Sequence, residues 1–161
     1  IQHGDFPVIV AGGIYTNADV RYFLERGADG VQIGTRFMVA TESSASLEAK
    51  QAVLRAEKED ILVCPHSPCG LPFRIIKQSP VYQELLRKKT NKCDRGYLLQ
   101  KNKNGQIGYC PAQQDGSNYF CICNGLLDYR LYTVGANAYK LKEQGIVPAQ
   151  TIMEDFGGLY L

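Results

Sequence analysis

The chain has 161 residues, 45% of them hydrophobic and 21% charged, with 18 Lys and Arg against 16 Asp and Glu and a formal net charge of +2. That composition is ordinary for a globular protein with a sizeable core, and the balanced charge offers no basis for a nucleic-acid or membrane partner. No apolar run reaches the ~20 residues of a membrane-spanning helix, and the polar opening Ile1-Gln2-His3-Gly4-Asp5 is not that of a secretory signal.

Pro7–Gly13 is a short run rich in β-branched residues that closes on a glycine pair, the pattern of a buried parallel strand. Thr16 followed by Asp19 predicts a helix start, and Val20, Phe23, Leu24 and Gly27 recur on one apolar face. Gly27-Ala28-Asp29-Gly30 ends that helix, and Val31–Gly34 forms a second buried strand. The whole is a β-α-β unit with glycines at the C-terminal ends of both strands, where α/β folds bind their ligands. A phosphate cradled on backbone N–H groups and plain tight turns both satisfy this pattern.

Thr35–Ala40 continues as a loop or short helix. A further helix, capped at Ser43 or Ser44, is expected to run to about Lys58 with Ala45, Ala49, Ala52, Val53 and Ala56 apolar and Glu48 and Lys50 on the surface. Ile61–Val63 leads into Cys64-Pro65-His66-Ser67-Pro68-Cys69-Gly70, where the prolines exclude a helix. Ser79-Pro80 starts a helix to about Lys89 with Val81, Leu85 and Leu86 inward. Between Arg87 and Lys103, seven basic residues face one acid, Asp94. They form either a solvated surface or a docking patch for an acidic partner.

Six cysteines without a secretory signal argue for reduced thiols and a cytoplasmic location. Cys93, Cys110, Cys121 and Cys123 lie among turn signals with few large aliphatics, in a stretch expected to hold little regular structure. Such a stretch needs a staple, and four thiolates supply one as a Zn²⁺ site or an iron–sulfur cluster. C-x₂-C pairs are absent, since Cys121-Ile122-Cys123 is C-x-C and Cys64 to Cys69 is C-x₄-C; this favours iron–sulfur, with Cys69 as first substitute ligand. His3 precedes the strand on the face away from chemistry, and His66 sits in the proline-rich loop, where an approach to a site is open. Gly135-Ala136-Asn137-Ala138-Tyr139 is expected to be a turn before the last helix. Tyr97, Tyr109, Tyr119 and Phe120 are expected to form the core of the loop-rich region.

VIVAGGI (Val8–Ile14) and GADGVQIGTRF (Gly27–Phe37) closely resemble the last two β-α units of the nitronate monooxygenase (2-nitropropane dioxygenase-like) flavoproteins. The resemblance extends through ATES (Ala40–Ser43), SPCGLPFRIIK (Ser67–Lys77) and VGANAYKLK (Val134–Lys142). It implies the C-terminal portion of a (β/α)₈ TIM barrel, its last two units at 1–60, followed by a cysteine-rich, loop-rich cap at 61–161. A whole barrel takes ~250 residues and two strands cannot close one, so the other units, including the family's catalytic histidine, are expected outside this stretch. No catalytic residue is therefore assigned. The implied cofactor is FMN, its phosphate held by Gly12, Gly13, Gln32, Ile33, Gly34 and Thr35. Phe120-Cys121-Ile122 and Lys92-Cys93 further resemble the tail of bacterial acyl dehydrogenase/isomerases of unsaturated fatty-acid synthesis. That similarity implies a [4Fe–4S] cluster and substrates carried on acyl carrier protein. The expected activity is thus flavin-dependent oxidoreduction of acyl-carrier thioesters, of dehydrogenase/isomerase or enoyl reductase type. The alternatives are nitronate oxidation and, from another class, a non-catalytic metal-binding interaction domain. A homodimer is left open.

Overall fold

The computed structural model describes residues 6–68, 72–89, 92–101 and 104–157, which leaves His3, Cys69 and Lys103 outside the described residues. Strand β1 (Ile9–Ala11) lies parallel to β2 (Gly30–Gln32), with Ile9 opposite Gly30 and Ala11 opposite Gln32. Asp29 sets that register: its carboxylate takes the Val8 N–H at 2.6 Å while its own N–H reaches the Val8 carbonyl at 2.9 Å. The intervening helix α1 (Asn17–Leu24) starts on a reciprocal cap. Asp19 N–H donates to Thr16 Oγ1, and the Asp19 carboxylate accepts the Thr16 and Tyr15 N–H groups. Val20 is buried from its inner face and Phe23 packs beside it, whereas Leu24 is exposed.

Neither strand is buried on both faces, contrary to the expectation from their sequences. Val10 and Val31 pack on the core, but Ile9 is 56% exposed, because a two-stranded sheet has cover on one side only. After β2 comes α2 (Thr35–Met38), then α3 (Leu47–Arg55). The cap of α3 is Ser46, not Ser43 or Ser44. Ser43 instead receives the Ala45 N–H in a turn ahead of the helix. Lys50, expected on the surface, is buried: its Nζ donates to the carbonyls of Ala40, Thr41 and Ser43 at 2.7, 3.3 and 2.9 Å.

From Glu59 to Val134 the chain forms a separate compact unit. Here β3 (Ile61–Cys64) pairs antiparallel with β4 (Phe73–Ile76), and α4 (Pro80–Leu86) follows. Ser79 makes no side-chain cap; it is fully buried and its hydroxyl accepts the Tyr132 N–H at 2.9 Å. Val81 and Leu85 face the core with Cys64, Ile75, Phe120 and Leu131, while Leu86 is exposed. The stretch expected to be irregular contains an antiparallel hairpin, β5 (Leu99–Lys101) with β6 (Ile107–Tyr109), and two short helices, α5 (Pro111–Gln114) and α6 (Ile122–Leu127). The Asn104-Gly105 turn signal explains the hairpin. Of the four aromatics assigned to a core, Phe120 is buried, whereas Tyr97 ahead of the hairpin and Tyr109 on β6 are exposed.

The last segment corrects the expected domain plan. Residues from Gly135 onward, with α7 (Leu141–Gln144) and α8 (Ala149–Asp155), join the first unit rather than the cysteine-rich one. The reason is hydrophobic: Ile152 and Phe156 complete a core with Ile14, Val20 and Ala40 that α1 and α2 cannot close alone. No helix among the described residues is long and apolar enough to cross a membrane.

Candidate functional site

At the C-terminal ends of β1 and β2 the chain twice leaves the sheet on glycine. Gly12 and Gly13 take φ values of +91° and +76°, a region that costs other residues ~1–2 kcal/mol each. Both loops face one cavity of about 50 Å³. Pockets that enclose a whole small ligand measure ~300–1,000 Å³, so this one suits the terminal group of a larger molecule. All six expected phosphate-binding residues, Gly12, Gly13, Gln32, Ile33, Gly34 and Thr35, line it. A Cβ added at Gly12, Gly13 or Gly34 would meet no atom within 4 Å. Backbone at these points is therefore open to a ligand, the observation that makes the residues fit a phosphate. Gly34 also heads α2 with no side-chain capping bond, leaving its first amides uncapped by any side chain.

The cation nearest this cradle is already committed. Arg36 lines the cavity, but its guanidinium is paired with Asp155, donates to Gln144 Oε1 at 2.6 Å and to the Tyr15 carbonyl at 3.1 Å, and lies 5.0 Å from the Phe156 ring centroid. The polar groups left free at the cavity are backbone amides and a side-chain hydroxyl rather than the Arg36 guanidinium. The Tyr15 hydroxyl, whose ionisation burial pushes up against the pull of Arg36, donates to the Lys140 carbonyl at 2.8 Å.

The tail segment completes the cavity, which its sequence did not announce. Gly135 N–H donates to Thr35 Oγ1 at 2.8 Å, and Asn137 Nδ2 donates to the Gly13 carbonyl at 2.6 Å. Gly135 cannot carry a side chain there, since a Cβ would stand 2.9 Å from Thr35 Oγ1. The signal lay in the VGANAYKLK motif; its partners lie 100 and 124 residues away.

A parallel β-α-β unit with open glycine backbone at its strand ends is part of an α/β fold. The family model described as nitronate monooxygenase matches residues 2–126, and the chain belongs to that family. A nitronate monooxygenase of Pseudomonas aeruginosa is 40% identical over 76 residues, 45% of this chain and 22% of that protein. Among solved structures, FabK from Thermotoga maritima has a TM-score of 0.59 at 21% identity, over 96% of this chain and 44% of the other. A nitroalkane oxidase from Streptomyces ansochromogenes has a TM-score of 0.59 at 19% identity, over 96% and 39%. Both are TIM-barrel proteins, and the present fold is a partial barrel of that kind. The chain spans about a fifth of the length of the curated relatives it matches.

In the second unit the four expected metal ligands come together. Cys93, Cys110 and Cys121 are buried in one cluster with Ala112, and Cys123 packs against it. Cys64 belongs to the other core. Burial opposes ionisation of Cys93, but the Cys121 thiol and the Gly96 and Arg95 N–H groups donate to it and bring it below its ordinary range. Burial and the neighbouring Cys93 and Cys123 push Cys121 and Cys110 up. Among the described residues no three His, Cys, Asp or Glu side chains stand in an arrangement that holds a metal ion. The four cysteines of the expected cluster share one core, and their arrangement gives the cluster no support. His66 lies in this unit with Nδ1 3.2 Å from the Asn118 carbonyl.

Proposed function

We propose that this chain provides the phosphate end of an FMN site in a flavin-dependent oxidoreductase. The observation that carries the proposal is the meeting of Gly12-Gly13 and Gln32–Thr35 around one phosphate-sized cavity at the ends of two parallel strands. FMN, when bound, supplies hydride or electron transfer at its ring system. The residues of this chain bind and orient: open glycine backbone takes the phosphate, and the Thr35 hydroxyl donates to it.

The proposed substrate is an acyl thioester on acyl carrier protein. Its support is the similarity of the SPCGLPFRIIK and cysteine-rich segments, and the exposed Arg87, Lys88, Lys89, Lys92 and Arg95, which suit an acidic carrier. Oxidation of alkyl nitronates is supported equally, by the curated relatives. We also propose Cys93, Cys110, Cys121 and Cys123 as ligands of a [4Fe–4S] cluster, on the strength of four thiols gathered in one core; no step is routed through it.

The test uses the full-length protein, prepared anaerobically. Acid-released FMN in stoichiometric amount supports the flavin proposal, and a flavin-free preparation that takes up no FMN rejects it. Turnover of acyl-carrier thioesters without O₂, against turnover of nitronates with it, separates the substrates. Iron and labile sulfide that vanish in Cys110→Ser but persist in Cys64→Ser support the cluster, and their absence from the parent protein rejects it.

A further inference from the structure

We infer that the tail segment at Gly135 and Asn137 is a positioning device that occupies two acceptors of the cradle and so favours a phosphate there. The inference rests on the phosphate-site proposal above. A phosphate dianion presents only acceptors, so every acceptor left facing it is repulsive. Two acceptors among the cavity-lining residues are the Gly13 carbonyl and Thr35 Oγ1. Each is taken by a donor from the tail, Asn137 Nδ2 on the Gly13 carbonyl at 2.6 Å and Gly135 N–H on Thr35 Oγ1 at 2.8 Å.

Both bonds have a directional consequence. The peptide is planar and trans, so its C=O and N–H point in opposite directions. Holding the Gly13 carbonyl toward Asn137 therefore fixes the direction of the Ile14 N–H, and Ile14 lines the cavity. A hydroxyl has one proton and two lone pairs. Once Thr35 Oγ1 accepts from Gly135, one lone pair and its own proton remain, and no acceptor for that proton is found among the described residues. The φ values of Gly12 and Gly13 leave this loop without the restraint a side chain imposes, so an external clamp is what holds one orientation. Asn137 contacts the Gly13 carbonyl, so it acts through Gly13 and is a positioning residue.

The readout that separates positioning from general stability is the preference of the full-length apoprotein for FMN over riboflavin, which lacks the phosphate. In Asn137→Asp the amide donor becomes an anionic acceptor of the same size. The expected result is a fall of at least about tenfold in FMN affinity, with riboflavin affinity unchanged. Asn137→Ala, which removes the donor without adding charge, should fall in the same direction. Thr35→Val should do likewise, since it keeps the shape and deletes the hydroxyl. Equal loss of both flavins in the Asn137 variants overturns the inference, as does an unchanged FMN-to-riboflavin ratio. If the parent protein itself shows no preference for FMN, the phosphate-site proposal fails instead. A preference that Gly34→Ala abolishes and Asn137→Ala leaves intact preserves that proposal and rejects the clamp.

Discussion

Arg36 on α2 and Asp155 at the end of α8, 119 residues apart, form an ion pair in which the arginine side chain is 8% exposed and the carboxylate 54%. The guanidinium also lies 5.1 Å from the Tyr15 ring centroid, so one buried cation ties the β1–α1 loop, α2 and the tail together. Removing one partner of a fully buried pair costs ~3–5 kcal/mol. The half-exposed carboxylate is screened and Gln144 remains, so Asp155→Ala is expected to cost about 1–2 kcal/mol. Arg36→Met removes the bonds to Gln144 and Tyr15 as well and should cost more. Urea denaturation of the full-length variants measures the order; a larger loss for Asp155→Ala would contradict it.

Lys50 offers a second test. Its ammonium holds three carbonyls that follow α2, at Ala40, Thr41 and Ser43. Lys50→Met keeps the stem but strands those acceptors, at a cost of about 1–3 kcal/mol. Glu48→Gln, on the exposed face of the same helix, should lie within ~0.5 kcal/mol of the parent. Comparable losses at the two positions would show that the carbonyl cage adds nothing.

Two glycines of the cradle should behave differently. Gly34 has φ −113° and open space around its Cβ position, so Gly34→Ala is expected to melt within a few degrees of the parent and to bind FMN at least about tenfold more weakly. Gly13 sits at φ +76°, so Gly13→Ala should lose about 1–2 kcal/mol of stability besides its FMN. Calorimetry of the apoproteins, followed by flavin titration, distinguishes the two.

A pH effect follows from the cap of α1. Burial works against the Asp19 carboxylate, but the N–H groups of Thr16 and Tyr15 and the Thr16 hydroxyl outweigh it and hold its pKa below the ordinary 3.8. A depressed folded-state pKa stabilises the fold above the unfolded value, and that contribution disappears as pH falls through the folded value. Parent and Asp19→Asn should therefore differ in melting temperature at pH 7, and the difference should shrink as pH falls below 3.8 and through the lowered folded value. A constant difference across that range would remove the carboxylate charge from the explanation.

Local chemistry was legible wherever partners lie close in sequence. Thr16 and Asp19 announced their capping box because the bonds close within three residues. The Gly12-Gly13 pair and the GADG stop were equally readable, since a glycine's conformational freedom belongs to the residue itself. Lys50 was misread because a lysine on an amphipathic helix is normally solvated. Only the turn of chain from Ala40 to Ser43, folded back over α3, makes a cage for it.

The β-α-β unit, its cap and the two glycine loops follow from the sequence by itself, because they depend on backbone preferences and on bonds spanning a few residues. The gathering of Cys93, Cys110, Cys121 and Cys123 was also anticipated from composition, but their mutual arrangement was not. The tertiary structure alone decided that the tail returns to the first unit, where Ile152 and Phe156 find uncovered apolar surface. With that return, Gly135 and Asn137 meet Thr35 and Gly13. Hydrophobic burial is non-directional and favours any cover for an exposed core; which segment supplies it, and which donors arrive with it, is a matter of shape that no local pattern encodes.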